Sequence, residues 1–385
     1  MSASGLVLPR AELAPSALNL RREVRAFLLE ELESGSYTPR CDAWLAGYSA
    51  EFSRKLGQRG WLGMTWPRRY GGHERSTLER FVVVEELLAA GAPVAAHWIG
   101  DRQSGPAILR YGTQDQCSRL LPAMAKGESF FSIGMSEPDS GSDLASISTK
   151  AVPDGAAWRV SGTKVWTSHA HRSDYMVTLC RTSPSDPSDR HAGLTQFIVD
   201  LHARGVRVNP ILLLDGEHHF NEVVLDDVEV PSDMILGGVG DGWKQVTAEL
   251  AFERSGPERI LSTFPLLREL VATVNPRDRQ VNAALGRLVA QLATLRELSL
   301  RVAASLERGE APDVAAALIK DLGTRFENEL IDVTRNLVDI EPSTESTNTL
   351  SRLLAESVLH SPGFTLRGGT NEILRGIIAR ELGLR

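Results

Sequence analysis

Cysteine is scarce in this 385-residue chain, which contains Cys41, Cys117 and Cys180, far apart and with no Cys-x-x-Cys pair. A sparse, odd-numbered set is typical of free thiols in a reducing compartment rather than of a disulfide framework. No stretch approaches the roughly 20 apolar residues of a membrane span. The amino-terminal residues also lack the basic segment and apolar run of a signal peptide. Together these absences predict a cytoplasmic protein with no membrane span.

Basic charge is also limited. The chain has 42 Lys and Arg residues against 49 Asp and Glu, a net charge of −7, so no general basic field would attract nucleic acid or anionic lipid. No His-Glu-x-x-His motif, Cys/His cluster or Walker loop is present. The Gly-rich stretch GGVGDGW (237–243) lacks the preceding strand of a Rossmann fold. The sequence therefore predicts no nucleic-acid partner and no metal site.

The hydrophobic period changes twice along the chain. Residues 1–128 carry apolar side chains at three- and four-residue steps, which is typical of helices. Residues 129–233 hold short runs of branched and aromatic residues between turn formers, which favours a small β-barrel or sandwich. Residues 234–385 return to the apolar stripes of bundle helices. This order predicts an α+β protein with three domains.

Two polar stretches could meet a ligand. SIGMSEPDSGSDLAS (132–146) is rich in Ser, Gly and acidic residues, and composition alone favours a surface loop over a binding loop. In SGTKVWTSHAHRSD (161–174), Trp166 beside small hydroxyls could wall a flat heteroaromatic ring, or it could be a core tryptophan. The nearby His169 and His171 lack a carboxylate at metal spacing, so structural roles are expected.

Glu253 interrupts an apolar pattern. On one continuous helix it would share a face with these residues: Val246, Leu250, Pro257, Ile260 and Phe264. Partial desolvation there would raise the pKa of the carboxyl toward that of a base near neutral pH. The alternatives are an ion pair with Arg254 or Arg259, or a break at Ser255-Gly256-Pro257 that turns Glu253 outward. The pattern alone does not choose between them.

The stretch GFTLRGGTNEILRG (363–376) leads into a final helix for which Thr370 is a plausible N-cap. Gly368 and Gly369 remove side chains where a helix offers free N–H groups. Either this is a simple turn, or a ligand approaches the backbone closely.

Taken in order, these motifs resemble the acyl-CoA dehydrogenase family of flavoenzymes. The likeness rests on SEPDSGSD, GTKVWTS, FNEVVLDDVEVP, GDGW and GGTNEILRGIIAREL, and extends upstream to GWLGMTWPRRYGG. It implies an N-terminal helical domain (1–128), a middle β-barrel domain (129–233) and a C-terminal four-helix bundle (234–385). It also implies FAD as cofactor, an acyl-CoA substrate oxidised to the 2-enoyl-CoA, and an electron-transferring flavoprotein as acceptor.

The resemblance assigns roles residue by residue. It implies flavin contacts from Ile133, Met135, Ser136, Ser142, Trp166, Thr167, Ser168, Thr370, Asn371 and Glu372. It implies substrate contacts from Ser142, Arg254, Gly368 and Gly369. Ser168 stands where the family usually has threonine, and Asp139 replaces a usual glycine in the loop.

The usual catalytic base is missing. Most of the family carries a glutamate immediately before the Gly-Thr pair, where this chain has Gly368. Members that act on branched or bulkier acyl chains often keep the base on the first bundle helix, in a Glu-Arg pair, and this chain has Glu253-Arg254 there. The resemblance therefore implies that Glu253 is the base. An acyl-CoA with a bulky or branched chain, such as a steroid side chain, would fit the space left by Gly368.

The family patterns that reach the adenine half of a partner's FAD are also absent. The matching regions read PRDRQVNAALG (276–286) and TRNLVDIEPSTES (334–346). The chain would form either a homo-oligomer with other contacts or, slightly favoured, a heterotetramer with a related subunit. Two alternative functions are a non-catalytic structural subunit of such a complex and a flavin oxidase or monooxygenase on the same fold.

Overall fold

The computed structural model describes residues 8–254, 256–310 and 312–384, and for residues 249–254 it describes the backbone alone. The amino-terminal region is helical, as its apolar spacing predicts. Its helices are α1 (Pro15–Glu33), α2 (Ala43–Ala46), α3 (Ala50–Gln58), α4 (Thr77–Ala89), α5 (Ala95–Ile99), α6 (Gly105–Tyr111) and α7 (Gln114–Ala125). Helices α4 and α7 begin at reciprocal caps, in which Ser76 pairs with Glu79 and Thr113 with Gln116.

The middle region is a β-sheet. Its strands are β1 (Phe131–Gly134), β2 (Lys150–Asp154), β3 (Ala157–Ser168), β4 (Tyr175–Arg181), β5 (Leu194–Asp200), β6 (Val206–Ile211), β7 (Phe220–Pro231) and β8 (Ile235–Leu236). They are ordered β6-β7-β3-β2-β4-β5-β8, and β1 pairs in parallel with β4. The long β3 and β7 pair antiparallel, and the pairing shifts between Lys164 and Thr167. That irregularity re-aims the end of β3, where Trp166 lies.

The carboxyl-terminal region is helical again. Its helices are α8 (Gly242–Arg254), α9 (Phe264–Thr273), α10 (Arg279–Glu307), α11 (Asp313–Leu337), α12 (Thr349–Phe364) and α13 (Asn371–Glu381). The expected N-cap of the last helix is confirmed, since the Thr370 side chain accepts a hydrogen bond from the Ile373 N–H.

Of the alternatives that the apolar pattern left open here, the structure has the break in the helix. A single helix does not run from Val246 to Phe264, because α8 ends at Arg254 and a 3₁₀ turn occupies Pro257–Arg259. Gly256 is extended, with φ −77° and ψ 169°, as expected before a proline, which disfavours helical backbone in the preceding residue. The apolar stripe therefore does not continue past α8, and it no longer argues for a buried Glu253.

The chain divides into two compact units. A helical unit comprises the described residues up to Ser49, Arg75–Ala95 and the chain from Leu250 onward, and a sheet unit comprises Ala50–Glu74 and Ala96–Glu249. The sheet unit has a core built on its strands, which includes the fully buried side chains of Phe131, Met176 and Phe197. The three-domain division at 128/129 and 233/234 stays a prediction.

The structure also describes the cysteines and the lengths of the helices. Cys41, Cys117 and Cys180 are all buried free thiols. Within residues 8–254, 256–310 and 312–384, no helix combines the length and apolarity needed to cross a bilayer.

Candidate active site

A buried ion pair supports the loop that follows β1. The Lys164 ammonium, fully buried in β3, donates to Glu137 Oε1 at 2.8 Å and to the Met135 carbonyl at 3.1 Å. Glu137 also accepts hydrogen bonds from the backbone N–H groups of Ser148 and Thr149. Burial opposes this negative charge, yet the Lys164 ammonium and these donors lower the pKa of Glu137 to about 2. The loop that follows β1 is therefore held in place by a buried ion pair and by hydrogen bonds from the backbone.

This anchoring positions three residues implied to contact the flavin. Ile133 lies on β1, whereas Met135 and Ser136 follow it, and the Ser136 carbonyl accepts the Val165 N–H at 2.9 Å. Ser142 is exposed, two residues past the tight turn in which Glu137 and Ser140 exchange backbone hydrogen bonds. The stretch at 132–146 is therefore part strand and part pinned loop, adjacent to β3.

Trp166 is not a core residue. Its side chain is 56% exposed, and its backbone has φ +59°, a left-handed conformation that is unusual for a bulky residue. Its ring meets the edge of Phe220, at a centroid distance of 5.8 Å. An exposed indole in an enforced backbone conformation can present its face to a flat ring, so of the two interpretations of Trp166 the ligand-wall one is favoured.

The two residues after Trp166 differ in exposure. Thr167 is fully buried; its carbonyl accepts from the Asn221 amide at 2.9 Å, and its Oγ1 has no hydrogen-bond partner among the described residues. Ser168 is half-buried at the end of β3. Since buried hydroxyls are normally paired, the orphaned Thr167 Oγ1 fits a group supplied by a ligand. The exposed indole and the orphaned hydroxyl are together compatible with an isoalloxazine ring.

The nearby histidines have structural partners. The His169 N–H donates to the His219 carbonyl at 2.8 Å, and the His171 ring bonds Asn221 Oδ1 at 3.1 Å while stacking on His218. Burial, with the neighbouring His218, lowers the pKa of His171 to about 4. An uncharged, stacked ring is what a structural role requires.

The start of α13 lies in the helical unit. Asn371 is buried; its Oδ1 accepts from the Lys320 ammonium at 2.7 Å and its amide donates to Thr324 Oγ1 at 3.2 Å. Thr370 is half-buried and Glu372 is exposed. The Asn371 side chain therefore anchors the helix within its own unit, a role the sequence did not indicate, while the three flavin contacts stay predictions.

The two glycines before Thr370 are both in left-handed conformations, with φ +69° at Gly368 and φ +87° at Gly369. Backbone of this kind is strained for any residue with a Cβ. A glutamate at 368, as in most of the resembling family, would need a different local backbone. The backbone conformation at position 368 therefore suits the glycine found there and would disfavour the glutamate found in most of the family.

The predicted base and its neighbour lie at the end of α8. The backbone of Glu253 and Arg254 forms the last turn of that helix, but their side chains lie outside the described part of the structure. Both roles stay predictions.

Comparisons with known proteins show the family to which these motifs belong. Profiles of the N-terminal, middle and C-terminal domains of acyl-CoA dehydrogenases match residues 15–128, 132–228 and 240–383. The chain belongs to the acyl-CoA dehydrogenase family. Its fold is that of the family, an N-terminal helical part, a middle β part and a C-terminal helical part, and the family is FAD-dependent.

Individual relatives cover the chain almost end to end. Acyl-CoA dehydrogenase FadE29 of Mycobacterium tuberculosis is 33% identical over 96% of both chains. The solved Tcur3481-Tcur3483 steroid acyl-CoA dehydrogenase is 29% identical, with a TM-score of 0.85, over 97% of this chain and 98% of the other. The ChsE4-ChsE5 complex from Mycobacterium tuberculosis is 30% identical, with a TM-score of 0.82, over 98% and 100%. This acyl-CoA dehydrogenase thus has relatives among steroid enzymes and heteromeric complexes.

Proposed function

We propose that this enzyme oxidises the CoA thioester of a bulky or branched acid, with a steroid side chain the leading candidate, to the 2-enoyl-CoA. Electrons then pass to an electron-transferring flavoprotein. The observation that carries the proposal is the Gly368-Gly369 turn, where φ of +69° and +87° excludes an unstrained side chain. In this proposal a larger acyl group takes the place of the side chain that bears the base in most of the family. A named relative, the Tcur3481-Tcur3483 enzyme, is a steroid acyl-CoA dehydrogenase.

Glu253 is the proposed base. It stands on the first helix of the bundle, next to Arg254, as in family members whose base has moved there. The carboxylate removes the proton from the carbon next to the thioester, and Arg254 binds toward the CoA end. Because α8 ends at Arg254, Glu253 is in the last turn of its helix, next to the loop that continues to Pro257.

Such a proton is too weakly acidic for a carboxylate unless the thioester oxygen is stabilised as charge develops on it. In this proposal the backbone N–H of Gly368 donates to that oxygen. When bound, FAD supplies the oxidant, accepting a hydride from the β-carbon. Exclusion of water from the pocket strengthens each of these electrostatic interactions.

The proposed flavin contacts fall into two groups of residues. In the sheet unit these are Ile133, Met135, Ser136, Ser142, Trp166, Thr167 and Ser168, of which the first three belong to the segment anchored by the buried Lys164–Glu137 pair. In the helical unit they are Thr370, Asn371 and Glu372.

The assembly proposed is a heteromer with a related subunit. The chain lacks the two stretches with which family members reach the adenine half of a partner's FAD. In the first of these regions, residues 276–286, Asp278 instead caps α10 by accepting hydrogen bonds from the N–H groups of Gln280 and Val281. A neighbour in fold, the ChsE4-ChsE5 complex, is itself heteromeric.

The test is to purify the chain alone and with candidate related subunits, then to add acyl-CoAs without oxygen. Bound yellow flavin that bleaches with a branched or steroid side-chain acyl-CoA supports the proposal. Glu253→Gln should retain flavin yet lose nearly all of this reduction, whereas Glu269→Gln, on the neighbouring helix α9, should reduce at the wild-type rate. Unchanged turnover in Glu253→Gln removes that residue from the mechanism.

Two other outcomes point to the alternative functions. An absence of flavin in every assembly indicates a structural subunit, and rapid reaction of the reduced flavin with oxygen indicates an oxidase or monooxygenase.

A further inference from the structure

A buried ion pair holds the residue immediately before the glycine turn. Arg367 donates from Nη1 to Asp42 Oδ2 at 2.7 Å and from Nη2 to Asp42 Oδ1 at 2.6 Å. The Asp42 side chain is 1% exposed and the Arg367 side chain 17%. A two-point contact of this kind fixes the orientation of the guanidinium as well as its position.

Asp42 is itself held rigidly. Its backbone N–H donates to the Ser262 carbonyl at 2.7 Å, and its φ of +54° places it in the left-handed region that aspartate tolerates. The His360 ring lies 3.3 Å from Asp42 Oδ2. Burial works against the carboxylate, yet the Arg367 guanidinium and His360 hold the pKa of Asp42 well below its usual range. The carboxylate is therefore charged at any pH at which the enzyme would work.

The faces of the guanidinium are covered by aromatic rings. Arg367 lies over the Trp44 ring at 4.2 Å and over the Phe364 ring at 5.0 Å from its carbon to the centroids. Trp44 is tied down in turn, because its indole N–H donates to Ser262 Oγ at 3.2 Å. Arg367 is thus confined both in the plane of its guanidinium and across it.

The other end of the glycine turn is also anchored. Asn371 bonds Lys320 and Thr324 through its side chain, and its backbone N–H donates to the Thr365 carbonyl at 3.1 Å. Only residues 368–370 lie between this anchor and Arg367. Glycine loses more conformational freedom on ordering than any other residue, so fixing both ends of this segment restricts the conformations open to the two glycines.

We propose that Asp42 and Arg367 form a clamp that positions the Gly368 backbone against the thioester of the substrate. This inference rests on the proposed function and adds two positioning residues to it. The Arg367 guanidinium already forms a two-point pair with a buried carboxylate, so the clamp gives it a positioning role and does not require it to bind the acyl chain. Asp42 comes from the amino-terminal part of the chain, 325 residues away in sequence.

The test uses the flavin-containing holoenzyme and an acyl-CoA analogue in which sulfur replaces the β-methylene group. Such a ligand cannot be oxidised, and its α-anion gives a long-wavelength charge-transfer band with oxidised flavin. The pH at which half of the bound analogue is deprotonated therefore reports how strongly the thioester is polarised. The variants are Asp42→Asn and Arg367→Lys, and the matched control is Glu86→Gln, which removes another buried acid paired with arginines, Arg21 and Arg25.

In Asp42→Asn, we expect that midpoint to rise by about one pH unit, so that about tenfold less anion forms at a given pH. A displaced donor should cost less than the 10²–10³-fold loss seen when one is removed outright. kcat should fall more than KM changes, and flavin content should stay at the wild-type value. Glu86→Gln should leave the midpoint unchanged, and the double variant D42N/R367Q should be no worse than D42N alone.

The outcomes separate the clamp from the proposed function. If the wild-type band forms and Asp42→Asn has the same midpoint, the clamp is wrong and the proposed function stands; lower thermal stability without a shifted midpoint has the same meaning. If Asp42→Asn does not fold, Arg367→Lys, which keeps the charge but loses the two-point contact, must show the shift. If the wild-type holoenzyme gives no band and no reduction by any acyl-CoA, the proposed function fails and takes the clamp with it.

Discussion

Replacing Glu137 by glutamine should test whether its ion pair with Lys164 is needed for the structure of the loop that follows β1. Lys164 has no exposed surface, and its ammonium has two described partners, Glu137 Oε1 at 2.8 Å and the Met135 carbonyl at 3.1 Å. Glu137→Gln keeps the shape of the side chain, but its single amide oxygen can accept at one position only, either from Ser148 at the place of Oε2 or from Thr149 at the place of Oε1. It removes the only opposite charge among those partners.

The magnitude can be approached in two ways. Breaking a buried pair by neutralising one member typically costs about 3–5 kcal/mol, because the remaining charge is left uncompensated. The pKa of Glu137 falls from its ordinary 4.5 to about 2, and roughly 2.5 units at 1.36 kcal/mol each give about 3 kcal/mol. Because solvent reaches part of the surrounding loop and screens the pair, we expect a loss of about 2–4 kcal/mol near pH 7.

Urea unfolding followed by tryptophan fluorescence measures the loss, and retained flavin measures its effect on the loop. Lys164→Met should cost less than Glu137→Gln, because Glu137 keeps three donors from Ser148 and Thr149. Glu229→Gln is the matched control: it breaks an exposed pair with Arg159 on the same sheet, which should be worth under about 1 kcal/mol.

The pH dependence gives a second check. An acid whose pKa is lower in the folded state stabilises the fold above its unfolded pKa, and that contribution is lost as the pH falls toward the folded pKa. The difference between wild type and Glu137→Gln should therefore be constant from about pH 6 to pH 8 and shrink between about pH 4.5 and pH 2. A variant within about 0.5 kcal/mol of wild type at pH 7, or a difference that grows on acidification, would refute the reasoning.

Two further predictions concern the helical unit. Burial raises the pKa of Glu327 to about 7, so the wild-type protein should lose stability as the pH rises from about 4.5 to 7. Glu327→Gln should not show this loss, and in urea unfolding it should be more stable than wild type by about 2–3 kcal/mol at pH 8 but not at pH 5. An equal gain at both pH values would contradict the prediction. Gly368→Ala should lower the free energy of unfolding by about 1–2 kcal/mol, because φ is +69° at that position. The control is Gly363→Ala, which lies within α12 and has no atom near its added Cβ, so it should be neutral or stabilising. Thermal unfolding of both variants measures the difference.

The sequence predicted the fold well because the signals that specify it are local. Stripes at three- and four-residue steps mark the bundle helices α10 and α11, and the turn formers separate strands that the structure places in one sheet. The N-cap at Thr370 was also predictable, since a cap depends only on the residues that follow it. The family itself was identified correctly from the order of its motifs.

The site was less predictable where it depends on contacts between distant segments. Lys164 and Glu137 both lie in motifs that resemble the family, but nothing local pairs them; the available signal was a lysine on the same face of β3 as the buried Val160. The contact between Asp42 and Arg367 joins segments with no common pattern. The apolar spacing through Glu253 could not distinguish a continuous helix from a break, because the spacing continues by coincidence past the end of α8 to Pro257 and beyond.

Losing the stripe changes the case for the base. Glu253 now rests on the resemblance to members whose base lies on the first bundle helix, and the geometry at Gly368 supports it only by showing that the usual position holds no acid. In the family's usual arrangement, one residue both removes the proton through its side chain and polarises the thioester through its backbone N–H. In the arrangement proposed for this chain the two tasks fall to different segments, so placing the base correctly does not by itself place the N–H donor. In this chain the segment before Thr370 is a pair of glycines with no base. The residues on either side of the pair are fixed, by the Asp42–Arg367 contact on one side and by the Asn371–Lys320 contact on the other. On this reasoning, substitutions in the clamp should weaken polarisation of the thioester while leaving Glu253 in place. Glu253→Gln should abolish proton removal while leaving polarisation of the thioester unchanged.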